Sequence, residues 1–385
     1  MPPRTQYDIA VVGAGVFGAW IAWHLANSGK RVLLVDQYGP ANARASSGGE
    51  SRVIRMAYGP DALYTRMAKA SLAQWKALFS RIGRPELFVP GGVLWMAMRG
   101  NRIAEQSLIT LIEARVEHEV LDAASLSRRF TQIRVPADGW AIFEPGSGGL
   151  LARRAVQSVL VDACAKGAEV LIARLLPRSG SGRQARLQST DGTRIEAGVH
   201  IYACGPWLAS VFPELLGKRI FPTRQEVFYF GVPPGETCFQ SPQMPTWMDF
   251  DRDWYGLPDI EGRGFKLACD LHGAPIDPDL AERSASAEGI AAARAFLARR
   301  FPALALAPLV GSEVCQYENT SNGDLLIDRH PEFDNVWIAG GGSGHGFKHG
   351  PAVGEYLMRR MRNEVPAEPR FSLASKLTRQ VREVH

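Results

Sequence analysis

One stretch near the start of the chain, residues 7–36, limits the possible folds more than any other. It begins with a short apolar run at Ile9–Val12, passes through the motif G-x-G-x-x-G and a helical segment, and ends in a second apolar run that closes on Asp36. The motif glycines are Gly13, Gly15 and Gly18. Strand, tight turn, helix and strand within about 30 residues are typical of a dinucleotide-binding βαβ unit.

Each glycine of the motif has its own steric role. Gly13 permits the sharp turn, Gly15 lets a pyrophosphate approach the backbone, and Gly18 lets the helix pack closely on the strand. The pyrophosphate would lie at the helix N-terminus, and Asp36 would accept hydrogen bonds from both ribose hydroxyls of an adenosine. The alternative is a glycine-rich packing turn without a ligand. The complete unit predicts that an ADP-containing dinucleotide binds here.

Composition argues against several other classes of protein. The 385 residues are 46% hydrophobic, which is enough for two domains with proper cores. No apolar run approaches the ~20 residues of a membrane span, and the N-terminus is too short and polar for a signal peptide. The net charge of +5 is spread along the chain, without the basic block of a nucleic-acid-binding protein. Five cysteines without a C-x-x-C motif indicate neither a disulfide framework nor a zinc site, so we expect a reduced, cytoplasmic protein without a metal.

Beyond the first unit, hydrophobic periodicity predicts alternating helices and strands. Helices are predicted at Asp61–Ile82, Ala104–Arg115, Ala152–Lys166, Ser286–Arg300 and Pro351–Arg362. From Phe221 to Leu271, short segments rich in aromatic residues, glycine and proline replace this alternation, which favours a mainly antiparallel sheet. A second strand, glycine-rich turn and helix follow near residue 340. The nucleotide domain is therefore predicted to combine both ends of the chain.

Several side chains could carry chemistry. The turn Gly340–Lys348 would meet the far end of a long ligand, and Lys348 adds a full charge there. Arg52 and Arg55, three residues apart, suit a cofactor phosphate or flavin edge and a substrate carboxylate. The alternatives are a solvated lysine and plain surface charge.

The residues alone leave four further positions open. Cys315 is either a reactive thiol or a small buried hydrophobe, and Tyr255 and Tyr317 face either a substrate or the core. Lys266 lies on an apolar strand, where it is either exposed on the far face or buried for a functional reason.

Five longer motifs connect the chain to a known family. They are SSGGESRVIRMAYG (46–59), ACGPW (203–207), GFKLACDLHG (264–273), VCQY (314–317) and LIDRHPEFDNVWIAGGGSGHGFKHGPAVGE (326–355). Through them the chain resembles the monomeric sarcosine oxidase family of FAD-dependent amine oxidases, which includes N-methyltryptophan oxidase and peroxisomal L-pipecolate oxidase. The resemblance extends from Asp8 to about Met361.

The resemblance implies a fold and a domain organisation. The fold would be α/β, or α+β overall, with a Rossmann-like FAD-binding domain and a substrate domain that has a large, mainly antiparallel sheet. The FAD-binding domain would comprise residues 1–86, 150–219 and 322–368, the substrate domain residues 87–149 and 220–321, and the C-terminal tail residues 369–385.

The resemblance also implies FAD as the cofactor and roles for named residues. Cys315 would attach FAD covalently, as a thioether to the flavin 8-methyl carbon, and Arg52 would lie beside the flavin ring. Arg55 and Lys348 would grip the substrate carboxylate, and Lys266 would promote electron transfer to O₂ from the opposite flavin face. The other residues implied in cofactor binding or in the substrate wall are Ser46, Ser343, Gly344, Gly346, Tyr255 and Tyr317.

Two departures from the family pattern concern the substrate. Asp270 stands where sarcosine oxidase has a histidine, and His272 follows two residues later on the same strand face. Glu318 stands where sarcosine oxidase has a small hydroxyl residue. If these acids face the pocket, they would pair with a cation or hydroxyl at the far end of the substrate, so we expect an amino or imino acid larger and more polar than sarcosine. The alternative is that both acids point to solvent or pair with local arginines such as Arg224 or Arg263.

The activity implied by the resemblance is oxidation of a small amino or imino acid. Hydride would pass from the carbon next to nitrogen to flavin N5, the imine would be hydrolysed, and O₂ would reoxidise the flavin to give H₂O₂. We expect a monomer or a weak homo-oligomer whose partners are a small anionic amine and O₂. Four alternatives stay open: a flavin amine dehydrogenase with another electron acceptor, an aminophosphonate oxidase, an NAD-dependent dehydrogenase, and a catalytically silent flavin-binding subunit.

Overall fold

Two large sheets, each covered by helices, organise the chain in the computed structural model, which describes residues 6–176 and 181–381. The strands within these residues are β1 (Gln6–Val12), β2 (Val32–Asp36), β3 (Arg52–Ile54), β4 (Phe88–Val89), β5 (Val93–Met98), β6 (Glu119–Asp122), β7 (Gly139–Glu144), β8 (Gly148–Leu150), β9 (Glu169–Ile172), β10 (Arg186–Gln188), β11 (Arg194–Tyr202), β12 (Ile220–Phe230), β13 (Thr246–Asp249), β14 (Trp254–Leu257), β15 (Phe265–Cys269), β16 (Leu309–Thr320), β17 (Leu326–Arg329) and β18 (Val336–Gly340). The α-helices are α1 (Val16–Asn27), α2 (Ala62–Arg81), α3 (Arg102–Glu113), α4 (Ala123–Arg129), α5 (Ala152–Ala165), α6 (Leu208–Val211), α7 (Pro213–Leu216), α8 (Ala287–Arg300) and α9 (Gly350–Met361).

The first sheet has the order β17-β18-β11-β1-β2-β9, and β10 pairs with β11 at its edge. Strands β18, β11, β1, β2 and β9 are parallel, whereas β17 and β10 run antiparallel to their neighbours. Helices α1, α5 and α9 pack together on one face, which explains why β1 and β2 are continuous apolar runs. Since β1 comes from the start of the chain and β18 from its far end, the expected assembly of this sheet from both ends is confirmed.

The second sheet has the order β16-β12-β15-β14-β13-β5-β7-β6. All neighbours are antiparallel except β5 and β13, so the mixed α/β fold class with a mainly antiparallel second sheet is confirmed. The long β12–β16 pair aligns Ile220 with Thr320 and carries Cys315 opposite Gln225. Helix α8 covers the face away from the first sheet with Phe296 and Leu297.

Helix α2 shows how local sequence determines an element. Asp61 accepts hydrogen bonds from the N–H groups of Leu63 and Tyr64, so it caps the helix that the pattern predicts over Asp61–Ile82. The buried stripe includes Trp75 and Phe79, as the spacing predicts. The other four predicted helices begin and end within two residues of their predicted bounds.

Two regions show details that the sequence patterns do not predict. The glycine-rich turn after β18 leads into a 3₁₀ turn at Phe347–His349, which directly precedes α9 at Gly350. The C-terminal tail is anchored rather than merely laid on the surface, because Phe371 is buried and Arg370 forms ion pairs with Asp61 and Asp324. Within the described residues, no helix combines the length and apolarity needed to cross a membrane, and no group of three or more His, Cys, Asp or Glu side chains is placed to hold a metal ion.

Candidate active site

A long cleft follows the carboxyl ends of the parallel strands and reaches the second sheet. Its cavity volume is about 240 Å³. Its lining includes Asp36 and Tyr38 at and just after the end of β2, Gly342 in the second glycine-rich turn, and Cys315 and Tyr317 on β16. Ligands of open α/β sheets bind outside the carboxyl ends of the strands. The cleft is therefore the candidate cofactor site.

The first glycine turn forms the floor of this cleft for steric reasons that the structure makes explicit. Gly13 has a φ of +103°, and a Cβ there would lie 2.3 Å from the carbonyl oxygen of Ala203. A Cβ on Gly18 would lie 1.8 Å from the carbonyl oxygen of Gly13, so helix α1 requires glycine at both positions. A Cβ on Gly15 would meet nothing closer than Ser47 Oγ at 3.4 Å, so this position leaves open space for a ligand.

Asp36, at the end of β2, is held by backbone donors. Its Oδ2 accepts a hydrogen bond from the Ala14 N–H at 2.8 Å, and its Oδ1 accepts one from the Tyr38 N–H at 2.9 Å. Burial raises the pKa of the carboxyl group, and these N–H groups oppose that shift. Oδ1 also accepts a hydrogen bond from Asn42 Nδ2 at 3.4 Å, whereas Oδ2 keeps a further lone pair with which the fixed group can accept a hydroxyl hydrogen.

Two buried polar atoms in the cleft wall indicate that a polar ligand belongs here. Among the described residues, neither Ser46 Oγ nor Glu318 Oε2 has a hydrogen-bond partner. Both residues line the cleft. Buried polar groups are almost always hydrogen-bonded. Together with the open glycine turn, these atoms fit a long dinucleotide.

Cys315 and Arg52 meet at the far end of the cleft. Strand β3 holds Arg52 so that its Nη2 donates to Cys315 Sγ at 3.2 Å and to the Ser46 carbonyl at 2.7 Å. Its Nη1 donates to the Ser51 carbonyl at 2.8 Å. The guanidinium plane is thereby fixed beside the thiol, and both side chains line the cleft.

Lys266 lies behind Arg52 and is buried, with 2% of its surface exposed. Its Nζ donates to the Ser51 carbonyl at 2.7 Å and to Ser51 Oγ at 3.2 Å. Burial, together with the nearby Arg52 cation, lowers the pKa of Lys266 to about 7. Lys266 lines a second, smaller cavity with Tyr229 and is absent from the lining of the main cleft.

Arg55 and Lys348 converge on one tyrosine. The Arg55 guanidinium carbon lies 4.2 Å from the ring centroid of Tyr58 and 4.8 Å from that of Trp95. Lys348 Nζ donates to the Tyr58 hydroxyl at 3.0 Å and to the His345 carbonyl at 2.9 Å. Burial, and then the Arg55 charge, hold the pKa of Lys348 well below its usual range. Within the described part of the chain, neither basic side chain forms an ion pair.

Tyr255, Tyr317 and Asp270 form a short hydrogen-bonded chain. The two tyrosine hydroxyls are 3.4 Å apart, and the Tyr317 hydroxyl donates to Asp270 Oδ1 at 3.3 Å. Burial raises the pKa of Asp270 to about 6, while the charges of Arg55 and Lys348 oppose that shift. Asp270 is thus buried and within electrostatic reach of both basic side chains, rather than in solvent.

His272 is nearby but faces the tail. Its Nδ1 lies 3.4 Å from Gln380 Nε2, and its ring centroid is 6.5 Å from that of Tyr317.

The second glycine-rich turn contacts or contains three of the predicted site residues. Glu318 Oε1 accepts a hydrogen bond from the Gly342 N–H at 3.0 Å, so this carboxylate faces the main cleft at the turn instead of joining Asp270. Ser343 Oγ accepts a hydrogen bond from the Thr320 N–H at 3.1 Å and donates to the Gly341 carbonyl, whereas Gly344 lines the cleft directly.

Sequence reasoning missed the residues that position Arg55 and Lys348. Glu144 is fully buried and accepts hydrogen bonds from the Met56 and Ala57 N–H groups, from Trp95 Nε1 and from Ser147 Oγ. It therefore fixes the segment that follows Arg55. His349 Nε2 lies 2.7 Å from the Tyr58 hydroxyl. Tyr58 and His349 both lie inside the motifs that connect the chain to its family, and their place in those motifs was the signal that could have identified them.

Comparisons with known proteins agree with this arrangement. The family described as FAD dependent oxidoreductase matches residues 8–360. The chain is 33% identical over 366 residues to the monomeric sarcosine oxidase of Bacillus sp. (strain B-0618), covering 92% of this chain and 91% of that protein. It is 31% identical over 368 residues to the peroxisomal sarcosine oxidase of Homo sapiens, covering 92% of each. The crystal structure of L-proline dehydrogenase from P. horikoshii superposes with a TM-score of 0.83 at 18% identity, over 96% of this chain and 98% of that one, which shows the shared fold.

Proposed function

The chain belongs to the FAD-dependent oxidoreductase family, and on that premise we propose that it oxidises a small amino or imino acid at the bond between carbon and nitrogen, with O₂ as the acceptor. The observation that carries the proposal is the pair of buried basic side chains at Tyr58. Arg55 is always charged, and a buried charge without a counterion is costly. An anionic group on the substrate would satisfy Arg55 and favour the charged form of Lys348.

A carboxylate is the best anion for this pair. The guanidinium fork of Arg55 suits two carboxylate oxygens, and Lys348 adds a point charge at the hydroxyl of Tyr58. A phosphonate carries the same charge type, so an aminophosphonate is the second candidate. The stacking of Arg55 between Tyr58 and Trp95 holds the guanidinium in one plane, which limits the orientations of the bound acid.

We propose that FAD occupies the main cleft and is attached covalently to Cys315. Arg52 supports this assignment, because its guanidinium holds the thiol at the end of the cleft that faces the second sheet. Asp36, Ser46 and the glycine turn supply the remaining contacts. When bound, FAD supplies the redox chemistry, taking a hydride from the carbon next to the amine nitrogen and passing electrons to O₂.

The chain's own residues bind, orient and stabilise charge. Arg55 and Lys348 hold the acid group, and the hydroxyls of Tyr255 and Tyr317 line the substrate. The ammonium form of Lys266 would stabilise the oxygen anion that forms when O₂ gains an electron, because it acts in a buried site where water does not screen it.

Asp270 supports a substrate more polar than sarcosine. Its carboxylate is buried beside Tyr317, whose hydroxyl donates a long hydrogen bond to it at 3.3 Å, so a cation or hydroxyl on the substrate would add a partner. His272, which packs near Tyr317, is proposed as a lesser specificity residue. Glu318 is better assigned to the cofactor than to the substrate.

The experiment that tests this function is a panel of amines read out by peroxide formation. Each N-methyl, cyclic or diamino acid is paired with the amine that lacks its acid group, and with the corresponding aminophosphonate. The proposal predicts peroxide from the acids and a loss of at least tenfold in kcat/KM for the partners that lack the acid group, about the size of one charged hydrogen bond. Equal rates for the acids and the amines without an acid group would refute the role of Arg55 and Lys348.

The same panel separates the rival functions. Flavin that is reduced by an amine but reoxidised slowly by O₂ would indicate a dehydrogenase with another acceptor. Bound flavin that no amine reduces would indicate a silent flavin-binding subunit. The cytoplasmic location, the monomeric or weakly oligomeric state and the domain boundaries stay predictions from the sequence.

A further inference from the structure

Glu318 is a buried acid with half of its carboxylate unused. It lies on β16, three residues after Cys315, and 6% of its surface is exposed. Oε1 accepts a hydrogen bond from the Gly342 N–H at 3.0 Å. Oε2 has no hydrogen-bond partner among the described residues, although the residue lines the main cleft. An unsatisfied buried carboxylate oxygen costs free energy unless a ligand supplies a donor.

The surroundings of this carboxylate leave no protein donor for Oε2 within the described part of the chain. A Cβ on Gly205 would lie 3.2 Å from Oε2, and a Cβ on Gly340 would lie 3.0 Å from Oε1, so glycine backbone encloses the group. The thiol of Cys204, the residue before Gly205, donates to the Val12 carbonyl at 3.4 Å. The cleft remains as the source of a partner.

The position along the cleft limits which part of a dinucleotide could bind. On the proposed placement of FAD, Asp36 takes the adenosine, the first glycine turn takes the diphosphate and Cys315 takes the flavin ring, and all of these residues line the cleft. Three residues of strand separate Cys315 from Glu318 by roughly 10 Å. The carboxylate would repel phosphate oxygens and ring carbonyls, since all of these are acceptors. The partner is therefore a donor that lies between the ring system and the diphosphate.

We propose that Glu318 binds FAD by accepting a hydrogen bond from a hydroxyl group of the polyol chain that joins the flavin ring to the diphosphate. The inference rests on the FAD site of the proposed function and is independent of its substrate. The hydrogen bond from the Gly342 N–H fixes the carboxylate, so the hydroxyl meets an acceptor that is already oriented.

A hydroxyl also fits the ionisation of this group. Burial raises the pKa of Glu318 to about 7, while the Gly342 and Gly341 N–H groups oppose the shift. Both the carboxylate and the neutral acid are therefore populated near neutral pH. A hydroxyl can donate to the carboxylate, and it can accept a hydrogen bond from the O–H of the neutral acid, which an N–H group cannot do.

The test measures cofactor affinity rather than catalysis. The full chain with Cys315→Ala binds FAD reversibly, and its Kd is measured by flavin fluorescence with Glu318 intact and with Glu318→Leu. The probes are FAD and three FAD analogues that each lack one hydroxyl of the polyol chain. A Glu318→Gln variant, which keeps a polar group of the same shape, serves as the conservative control, and the melting temperature of each apoprotein checks the fold.

The proposal predicts that Glu318→Leu weakens FAD binding by about ten- to a hundredfold, the range of a hydrogen bond to a charged group. The one deoxy analogue that lacks the bound hydroxyl should have the same Kd for the protein with Glu318 intact and for the Glu318→Leu variant. Glu318→Gln should recover most of the affinity for FAD. An equal loss for FAD and all three analogues would assign Glu318 a purely structural role and overturn the proposal, as would an unchanged Kd. Failure of the amine panel would leave this result intact, because no substrate is involved.

Discussion

Replacing Lys266 by methionine tests whether this lysine is retained for chemistry at the expense of stability. The folded protein lowers the pKa of Lys266 from 10.5 to about 7. At about 1.36 kcal/mol per pH unit, the charged form destabilises the fold by about 4 kcal/mol at pH 7. Methionine has a side chain of similar length without a charge. The substitution also removes the hydrogen bonds to Ser51, which contribute about 1 kcal/mol. We therefore expect Lys266→Met to be about 3 kcal/mol more stable at pH 7.

The sign of the pH dependence follows from the same pKa difference. Between about pH 7 and 10.5, unfolded Lys266 binds a proton that the folded form does not, so the stability of the parent protein rises with pH across this window. The methionine variant lacks that rise, and its advantage should shrink toward pH 10.5. For 385 residues, about 3 kcal/mol corresponds to a shift of about 4 °C in melting temperature.

The assay is thermal unfolding of the flavin-free protein at several pH values from about 7 to 10.5. Lys218→Met, at an exposed position, serves as the matched control and should change little. A Lys266→Met protein that melts no higher than its parent at pH 7, or whose advantage is constant with pH, would refute the assignment of a costly buried charge.

The catalytic half of the prediction uses stopped-flow kinetics of the FAD-loaded enzyme. Reoxidation by O₂ should slow roughly a hundred- to a thousandfold in Lys266→Met, the cost of losing one preorganised charge, while reduction by an amine changes far less. In the parent enzyme, reoxidation should fall as pH rises through about 7, because only the ammonium form stabilises an oxygen anion. Equal losses in both half-reactions would mean that Lys266 only supports the pocket.

Four further outcomes follow from the geometry. Acid-denatured parent protein should stay yellow and carry the flavin mass on the Cys315 peptide, whereas Cys315→Ser should release its flavin. A colourless precipitate from fully loaded parent enzyme would contradict covalent attachment. Arg55→Met and Lys348→Met should each lower kcat/KM for amino acids by about ten- to a hundredfold, since each removes one charged contact to the acid group. The kcat/KM for amines without an acid group should hardly change, and equal losses for both classes of substrate would point to misfolding. Asp270→His should shift substrate preference toward simple N-methyl or cyclic amino acids. In the parent enzyme, the preference for substrates with a far-end cation should fade as pH drops through about 6, because Asp270 then becomes neutral. If the ratios of kcat/KM between substrates stay constant, Asp270 is not a specificity residue. Gly18→Ala should abolish FAD incorporation, because its Cβ would lie 1.8 Å from the Gly13 carbonyl oxygen, and normal flavin content would disprove that constraint.

Local patterns were sufficient for much of this fold. The βαβ unit around Gly13 could be predicted because hydrophobic period, turn chemistry and terminal acid all lie within one short segment. The cap at Asp61 and the buried stripe of α2 follow from contacts three or four residues apart. The same applies to the antiparallel character of residues 221–271, where aromatic and glycine content changes together.

The sequence by itself therefore determined the dinucleotide unit, the helices and the kinds of side chain that could act, whereas only the tertiary structure decided how these side chains meet. Arg55 and Lys348 are far apart in the chain and share Tyr58 because β3 and the turn after β18 pack together. Neighbouring residues on a strand point to opposite faces, but no local pattern shows that the face of Glu318 meets Gly342 and that the face of Tyr317 meets Asp270. The pairing of β16 with β12 and its approach to Gly342 bury both faces of this strand, and those long-range contacts assign each side chain its surroundings.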